Sequence, residues 1–351
     1  MRILFFINQL YDGGAERVAS YLLNHFCEKH DTYAALIHFK SPIYHIDNRV
    51  QIIDNRIKSK VKGATRIPRF MKMIQTIKRI NPDIIISFIT KTNNNALLAN
   101  LFCRKKVIIS ERCSLTHEQP SIHRILRKIL YPTADKIIFV TQSDNINFGI
   151  PFKSSTIYNP STFSVHKNYN NRQKTIMTIA ANNRWHIKGI DLLIKAWSKI
   201  AKQYPDWNLE IYGRIYQNKE QKELCPINHE RANWMGWRDD MESVFRAKSI
   251  FAITSRNEAC PNSLIEAMSQ GCACIGTDCD GGIKEIISDG VDGLIAKSED
   301  VDDIAAKLQL LINDENLRRR LSAGAIEKVK QFDKNAFFAK WDNLIEEIAR
   351  K

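Results

Sequence analysis

Short apolar runs alternate along the chain with amphipathic stretches of helical period. In the first half the runs at 2–8, 33–39, 84–88, 107–110 and 136–141 are rich in Ile, Val and Phe and too short for helices, so they predict strands. Between them, apolar residues recur at three- and four-residue spacing near 15–28, 66–80, 94–102 and 121–132, which predicts helices. The rhythm restarts with strand-like runs at 175–180, 207–212, 232–235, 249–254 and 273–276. Near-continuous apolar strands alternating with helices imply parallel sheets covered on both faces, an α/β fold with two doubly wound sheets. A chain of 351 residues is more than one hydrophobic core usually serves. The polar, Asn-rich stretch 158–174 marks the break, giving expected domains at 1–160 and 161–333. A last helix over 334–351 carries Phe337, Phe338, Trp341, Leu344 and Ile348 on one stripe. A stripe that wide needs a partner surface, and the expectation is that it packs back on the first domain.

Composition narrows the picture. No apolar run approaches the roughly 18 residues that a membrane span requires. The opening MRILFFINQL is short and leads straight into Gly13-Gly14, so it reads as a buried first strand and not as a signal peptide. The eight cysteines show no Cys-x-x-Cys pair and read as small buried hydrophobes in a reducing cytosol, with no metal expected. Charge is uneven: residues 1–160 hold 24 basic against 11 acidic side chains, a net of +13, which leaves +1 of the total +14 to the rest. The first half therefore faces something anionic, whether nucleic acid, phospholipid headgroups or a phosphorylated substrate. No aromatic stacking surface interleaves with the basic residues, and no nucleic-acid partner is expected.

Two parallel sheets in tandem bind ligands at the carboxyl ends of their strands, which directs attention to the segments that follow strands. After the run at 249–254 comes Ser255-Arg-Asn-Glu258-Ala-Cys-Pro261-Asn262-Ser263-Leu264-Ile-Glu266-Ala-Met-Ser-Gln-Gly271. Pro261 can open a helix that stops at Gly271, placing Glu258 in the loop and Glu266 over one turn in. The backbone N–H groups near Asn262, Ser263 and Leu264 would then form an anion site. Ribose hydroxyls, a diphosphate and a sugar could each find a partner in such a segment. In isolation, two glutamates eight apart read equally as a capped helix with solvated carboxylates. In the first half, Gly13-Gly14-Ala-Glu16-Arg17 opens a helix after the first strand and reads either as a tight turn or as a phosphate approach. It is neither a Gly-x-Gly-x-x-Gly fingerprint nor a P-loop, which argues against NAD and ATP.

The segment Glu258, Pro261, Asn262, Glu266, Ala267, Met268 and Gly271 resembles the E-x7-E element of the family 4 glycosyltransferases, with Ala259 and Cys260 in place of the usual Gly-Phe. Gly276 to Gly282, Glu285-Ile-Ile and Asp289-Gly-Val-Asp-Gly-Leu294 are similar to the rest of that signature. The resemblance implies a GT-B fold, two Rossmann-like domains facing across a cleft, and a retaining transfer from a UDP-sugar, used as a co-substrate without cofactor or metal. It also implies site roles. Arg184 and Lys188, in Asn183-Arg-Trp-His-Ile-Lys-Gly189, would neutralise the donor diphosphate; Glu258 would hold the donor sugar and Glu266 the ribose. Gly14 would contact phosphate, with Glu16 and Arg17 bordering the acceptor. Arg112, after the strand at 107–110, stands where relatives carry His and is a candidate for donor or acceptor phosphate; His117 follows further on. A sugar-nucleotide epimerase or a phosphorylase is the alternative on the same architecture.

The basic first half then has a use. The stretches 66–79 and 124–130 mix Lys and Arg with apolar residues at roughly helical spacing, as helices lying on anionic membranes do. The expected setting is the cytoplasmic face of a membrane, with a lipid-linked saccharide as acceptor. Core helices with solvated basic faces would give the same pattern.

Overall fold

The computed structural model describes residues 1–11, 13–38, 42, 44–57, 66–115, 121–215, 225–279 and 281–350. Two compact units emerge, Met1–Asn159 with Asn335–Lys351, and Pro160–Lys334.

The first unit carries β1 (Arg2–Ile7), α1 (Gly14–Phe26), β2 (Asp31–Leu36), β3 (Gln51–Asp54), α2 (Arg66–Ile80), β4 (Ile84–Phe88), α3 (Thr90–Asn100), β5 (Lys106–Glu111), α4 (Ser121–Leu130), β6 (Lys136–Phe139), α5 (Gln142–Phe148) and β7 (Ser154–Thr156). The second carries β8 (Gln173–Ile179), α6 (Ile190–Ile200), β9 (Asn208–Tyr212), β10 (Ala232–Gly236), α7 (Met241–Ala247), β11 (Lys248–Ile253), α8 (Asn262–Ser269), β12 (Ala273–Thr277), α9 (Ile283–Ile286), β13 (Leu294–Ala296), α10 (Val301–Asn313) and α11 (Glu315–Val329). The chain ends in α12 (Lys334–Arg350).

Both sheets are parallel and doubly wound. Their strand orders are β3-β2-β1-β4-β5-β6-β7 and β10-β9-β8-β11-β12-β13. In each, chain order reverses direction once, between β1 and β4 and between β8 and β11. At such a point the following crossovers depart to opposite sides and leave the strands' carboxyl ends uncovered, which is where open α/β sheets take ligands.

Side-chain alternation explains the layering. Ile3, Phe5 and Ile7 of β1 join one core cluster with Leu22 and Phe26 of α1 and with Phe337, Trp341, Leu344 and Ile348 of α12. Leu4 and Phe6 face the other way, into a cluster with Met73 and Ile77 of α2, Ala96 and Leu97 of α3 and Leu130 of α4. In the second unit, Leu193 and Trp197 of α6 and Leu308 of α10 pack on Ile176, Ile250 and Ile275. At α12, His25 stacks on Phe338 with ring centroids 4.2 Å apart, and its Nε2 lies 2.8 Å from Asp342 Oδ1. No described helix is long and apolar enough to cross a membrane.

Several boundaries differ from the sequence expectation. Three short edge strands, β3, β7 and β13, went unforeseen because three or four residues carry no readable period. Strand β2 begins at Asp31, where it pairs with Arg2, so it starts two residues early; Phe39 lies outside the described residues. Helix α3 starts at Thr90 and not at 94, because Thr90, Thr92, Asn93 and Asn94 are buried polar residues: Asn93 Nδ2 donates to Ser110 O and to Tyr131 Oη, each at 3.1 Å. Polar residues that bond into a core look like loop in a sequence.

Trp341 is fully buried, so Trp341→Ala should cost the first unit about 3–5 kcal/mol, with Trp341→Phe costing less. Urea unfolding checks this; an unshifted midpoint would mean that α12 contributes nothing to that core.

Candidate functional site

In the second unit the loops after β8 and β11 are stitched together. Gly189 sits at φ +60°, and a Cβ there would lie 1.8 Å from Thr254 O, so only glycine lets these two backbones meet. Thr254 Oγ1 donates to Gly189 O at 2.8 Å, and the Arg256 N–H donates to Ile187 O at 2.9 Å. The Arg256 guanidinium makes two bonds of 2.8 Å to the Asp191 carboxylate, a fork-to-fork pair in which Asp191 is nearly buried. Burial alone would raise the Asp191 pKa, but Arg256 outweighs it and the carboxyl lies below its ordinary value.

This scaffold brings two of the expected residues into contact. Lys188 Nζ pairs with Glu258 Oε1, which also accepts from Ser255 Oγ at 2.9 Å; the lysine and glutamate side chains are 21% and 11% exposed. A second close approach fixes Glu258, since a Cβ on Gly281 would lie 1.5 Å from Glu258 O, and Gly282 N–H donates to that oxygen at 3.2 Å. Arg184 ends the turn 182–184 and is exposed, and among the described residues no hydrogen bond or ion pair holds its guanidinium. The Lys188 N–H bonds to Arg184 O at 3.0 Å, which keeps the two cations on one turn of chain.

Helix α8 departs from expectation in detail. Pro261 is its N-cap at ψ 109°, with Asn262 the first helical residue. The Leu264 N–H, expected to be open to an anion, donates to Pro261 O at 3.1 Å, because the first turn tightens to i→i−3 bonding. Of the three amides expected at the anion site, that of Leu264 is thereby taken up within the helix. Glu266 lies over one turn in, buried, its Oε1 accepting from Thr162 Oγ1 at 2.6 Å. Thr162, Arg256 and Asp191 had no sequence signal, since each acts through a partner distant in the chain, whereas Ser255 bonds to Glu258 three residues on.

In the first unit, Gly14 opens α1 and Glu16 is buried in its first turn, with its carboxylate folded back against Gly13. Arg17 Nε donates to Tyr21 Oη at 2.8 Å, and the guanidinium lies 5.9 Å from the Tyr44 ring centroid. Arg112 is buried, its guanidinium 5.0 Å over Phe88 and its Nη1 donating to Asn159 Oδ1 at 2.7 Å. Beside it, Glu111 is fully buried and accepts from the Arg112 and Cys113 amides at 3.0 and 3.1 Å, from Thr90 Oγ1 at 2.8 Å and from Tyr131 Oη. Burial pushes its pKa above the ordinary carboxylate value against those bonds. Ile89, at the end of β4, takes φ 72°, a strained choice for a β-branched residue at the uncovered end of the sheet. Asp12, His117 and Asp280 lie outside the described residues.

Comparison with known proteins bears on this geometry. Residues 162–328 match the family model described as glycosyl transferases group 1. The chain is 26% identical to the Campylobacter jejuni enzyme named GalNAc-alpha-(1->4)-GalNAc-alpha-(1->3)-diNAcBac-PP-undecaprenol alpha-1,4-N-acetyl-D-galactosaminyltransferase, over 99% of each protein. It is 25% identical to that organism's N,N'-diacetylbacillosaminyl-diphospho-undecaprenol alpha-1,3-N-acetylgalactosaminyltransferase, over 81% of this chain and 82% of the relative. Among solved structures, Anabaena HepE in complex with UDP-glucose has the same fold, with a TM-score of 0.77 at 18% identity over 99% of this chain and 100% of that one. The chain is a glycosyltransferase, and its two sheets are those of the GT-B fold.

Arg256→Ala would strand the Asp191 carboxylate and should cost about 3 kcal/mol at neutral pH. The lowered Asp191 pKa fixes the sign: the stabilisation is complete above the ordinary aspartate value of 3.8 and is lost as pH falls through the lowered one. Denaturant titrations of both proteins from neutral to acid pH should therefore converge at the acid end; a gap that stays constant would refute the pairing as the cause.

Proposed function

We propose that this glycosyltransferase is a retaining enzyme of the family 4 type that moves a hexose or N-acetylhexosamine from a UDP-sugar to a saccharide carried on a polyprenyl diphosphate. The observation that carries the reading is the Lys188–Glu258 pair at the β8/β11 switch point. A sugar diphosphate presents a double anion beside a ring of hydroxyls. A cation and a carboxylate held side by side match that pattern, and Arg184 and the Asn262 and Ser263 amides extend the cationic side.

In this mechanism the bond from the anomeric carbon to the β-phosphate oxygen breaks, and negative charge grows on the departing UDP. Lys188 transfers its attraction from Glu258 to the diphosphate, with Arg184 beside it, so stabilisation is greatest in the transition state. These cations take the place of a metal. Glu258, released from Lys188, accepts from donor-sugar hydroxyls, and Glu266 accepts from the ribose. The acceptor hydroxyl forms the new bond on the same face and passes its proton to the leaving phosphate oxygen. On the first unit, Gly14 is the candidate phosphate contact, and Glu16, Arg17 and Arg112 are the candidates for acceptor binding.

The acceptor class is supported by the names of the Campylobacter relatives, which specify undecaprenyl-diphosphate-linked sugars. Those names, over nearly the full chain, also favour transfer over the epimerase or phosphorylase alternative. Such an acceptor places the enzyme peripherally on the cytoplasmic side of a membrane, with the basic first unit toward anionic lipid.

Three measurements test the proposal. Screening UDP-sugars against a lipid-linked saccharide should give UDP release that depends on acceptor; sugar isomerisation without UDP release would overturn it. Lys188→Gln and Arg184→Gln should each lower kcat/KM roughly 10²–10³-fold, and a double variant turning over at near the normal rate would remove both from the site. Glu266→Ala should weaken UDP binding roughly 10- to 100-fold in calorimetry, the value of a hydrogen bond to a charged group.

A further inference from the structure

Helices α2, α3 and α4 cover one face of the first sheet, with α3 packed against both of the others. The outer side of α4 is unusual for a helix facing water. Ile122, Ile125 and Ile129 are 55%, 54% and 63% exposed, and their spacing of three and four residues puts them on one side of the helix. The side that faces the core carries Leu130 and the buried stem of Arg127. Single exposed apolar residues need no explanation, but a ridge of three does. Isoleucine is also a poor choice for helix formation alone, since its branched side chain loses rotamer freedom there. At the end of neighbouring α3, Leu98, Leu101 and Phe102 are exposed as well.

Charge identifies what covers this surface. Helices α2, α3 and α4 contain nine Lys and Arg residues and no Asp or Glu. On α4, Arg124 and Lys128 are exposed next to the isoleucines. Protein interfaces mix charges of both signs, and nucleic acid has no use for an isoleucine ridge. A surface with apolar matter below a layer of phosphates fits both features.

We propose that the α4 ridge is a wedge that inserts into an anionic bilayer, with Ile122, Ile125 and Ile129 entering the headgroup boundary and Arg124 and Lys128 meeting lipid phosphates. This deepens the membrane setting of the proposed function and rests on it for biological sense, but not on any donor chemistry. It narrows the sequence expectation that 66–79 and 124–130 both lie on an anionic membrane to the second of these stretches. In α2 the apolar residues Met73, Ile74 and Ile77 are core, and Lys72 is held by Arg56 O at 3.0 Å. The wedge belongs to α4. Because β5 feeds α4, the helix starts on the side of the sheet where the strand ends at Glu111.

Insertion and charge attraction respond differently to salt, and that separates them. The test is co-sedimentation of the full chain with phosphatidylcholine vesicles containing about one third phosphatidylglycerol, at about 0.1 M and about 0.5 M salt. The triple variant I122Q/I125Q/I129Q should lose at least about tenfold in vesicle partition at both salt concentrations. R124Q/K128Q should lose partition mainly at low salt, and Ile125→Trp should gain severalfold. Turnover on a water-soluble acceptor should be unchanged in all three. Vesicle binding of the triple variant equal to wild type overturns the wedge, as does a wild type that binds no vesicles. So does a triple variant that turns a dimer into a monomer in sedimentation while its lipid binding persists, which would make the ridge a protein interface. Binding is read without donor or acceptor. Ridge-dependent binding without sugar transfer would therefore count against the proposed function alone, and transfer with ridge-independent binding against the wedge alone.

Discussion

In the second unit β8 and β11 are hydrogen-bonded neighbours, yet the chain leaves them in opposite directions, to β9 through α6 and to β12 through α8. Right-handed crossovers running in opposite directions along one sheet must take opposite faces. The carboxyl ends of the two strands are left uncovered between them, and both following loops have to share that gap. Glycine at 189, the Thr254 hydroxyl and the Arg256–Asp191 fork hold the loops there. Lys188 and Glu258, seventy residues apart in the chain, meet because of this constraint. The proposed donor chemistry depends on that meeting more than on either residue alone.

The first unit obeys the same rule with different content. Its uncovered end, at β1 and β4, gathers Gly14, Glu16, the strained Ile89 and, one strand over on β5, the buried Glu111 beside Arg112. Charge here is not concentrated at the strand ends alone but spread over the helices of one face, where α4 adds an apolar ridge. The lipid-linked acceptor proposed above would give these features one purpose, since its saccharide would have to reach the strand ends while its lipid stayed in the bilayer.

Much of the fold was legible because buried parallel strands announce themselves as unbroken apolar runs. The strands β1, β4, β5, β8, β9, β11 and β12 fall within two residues of their expected places. What escaped had a physical reason in each case. Strands β3, β7 and β13 are too short to show a period, and the first turn of α3 buries threonines and asparagines that a sequence reads as loop. At the candidate site, spacing placed Glu258 in a loop and Glu266 in the helix after it. It could not show that Lys188 would pair with Glu258, that Thr162 would reach Glu266, or that Leu264 would spend its amide on Pro261. Periodicity reports local structure, whereas these contacts join segments between 3 and about 100 residues apart, most of them set by the order of strands in the sheet.

The central claim is that Lys188 exchanges Glu258 for a diphosphate. A crystal structure with UDP bound tests it most directly. The account predicts the diphosphate within hydrogen-bond reach of Lys188 Nζ and the Arg184 guanidinium, the ribose against Glu266, and the Lys188–Glu258 contact broken. UDP seated elsewhere, or UDP bound while Lys188 remains on Glu258 and no phosphate oxygen touches either cation, would contradict it.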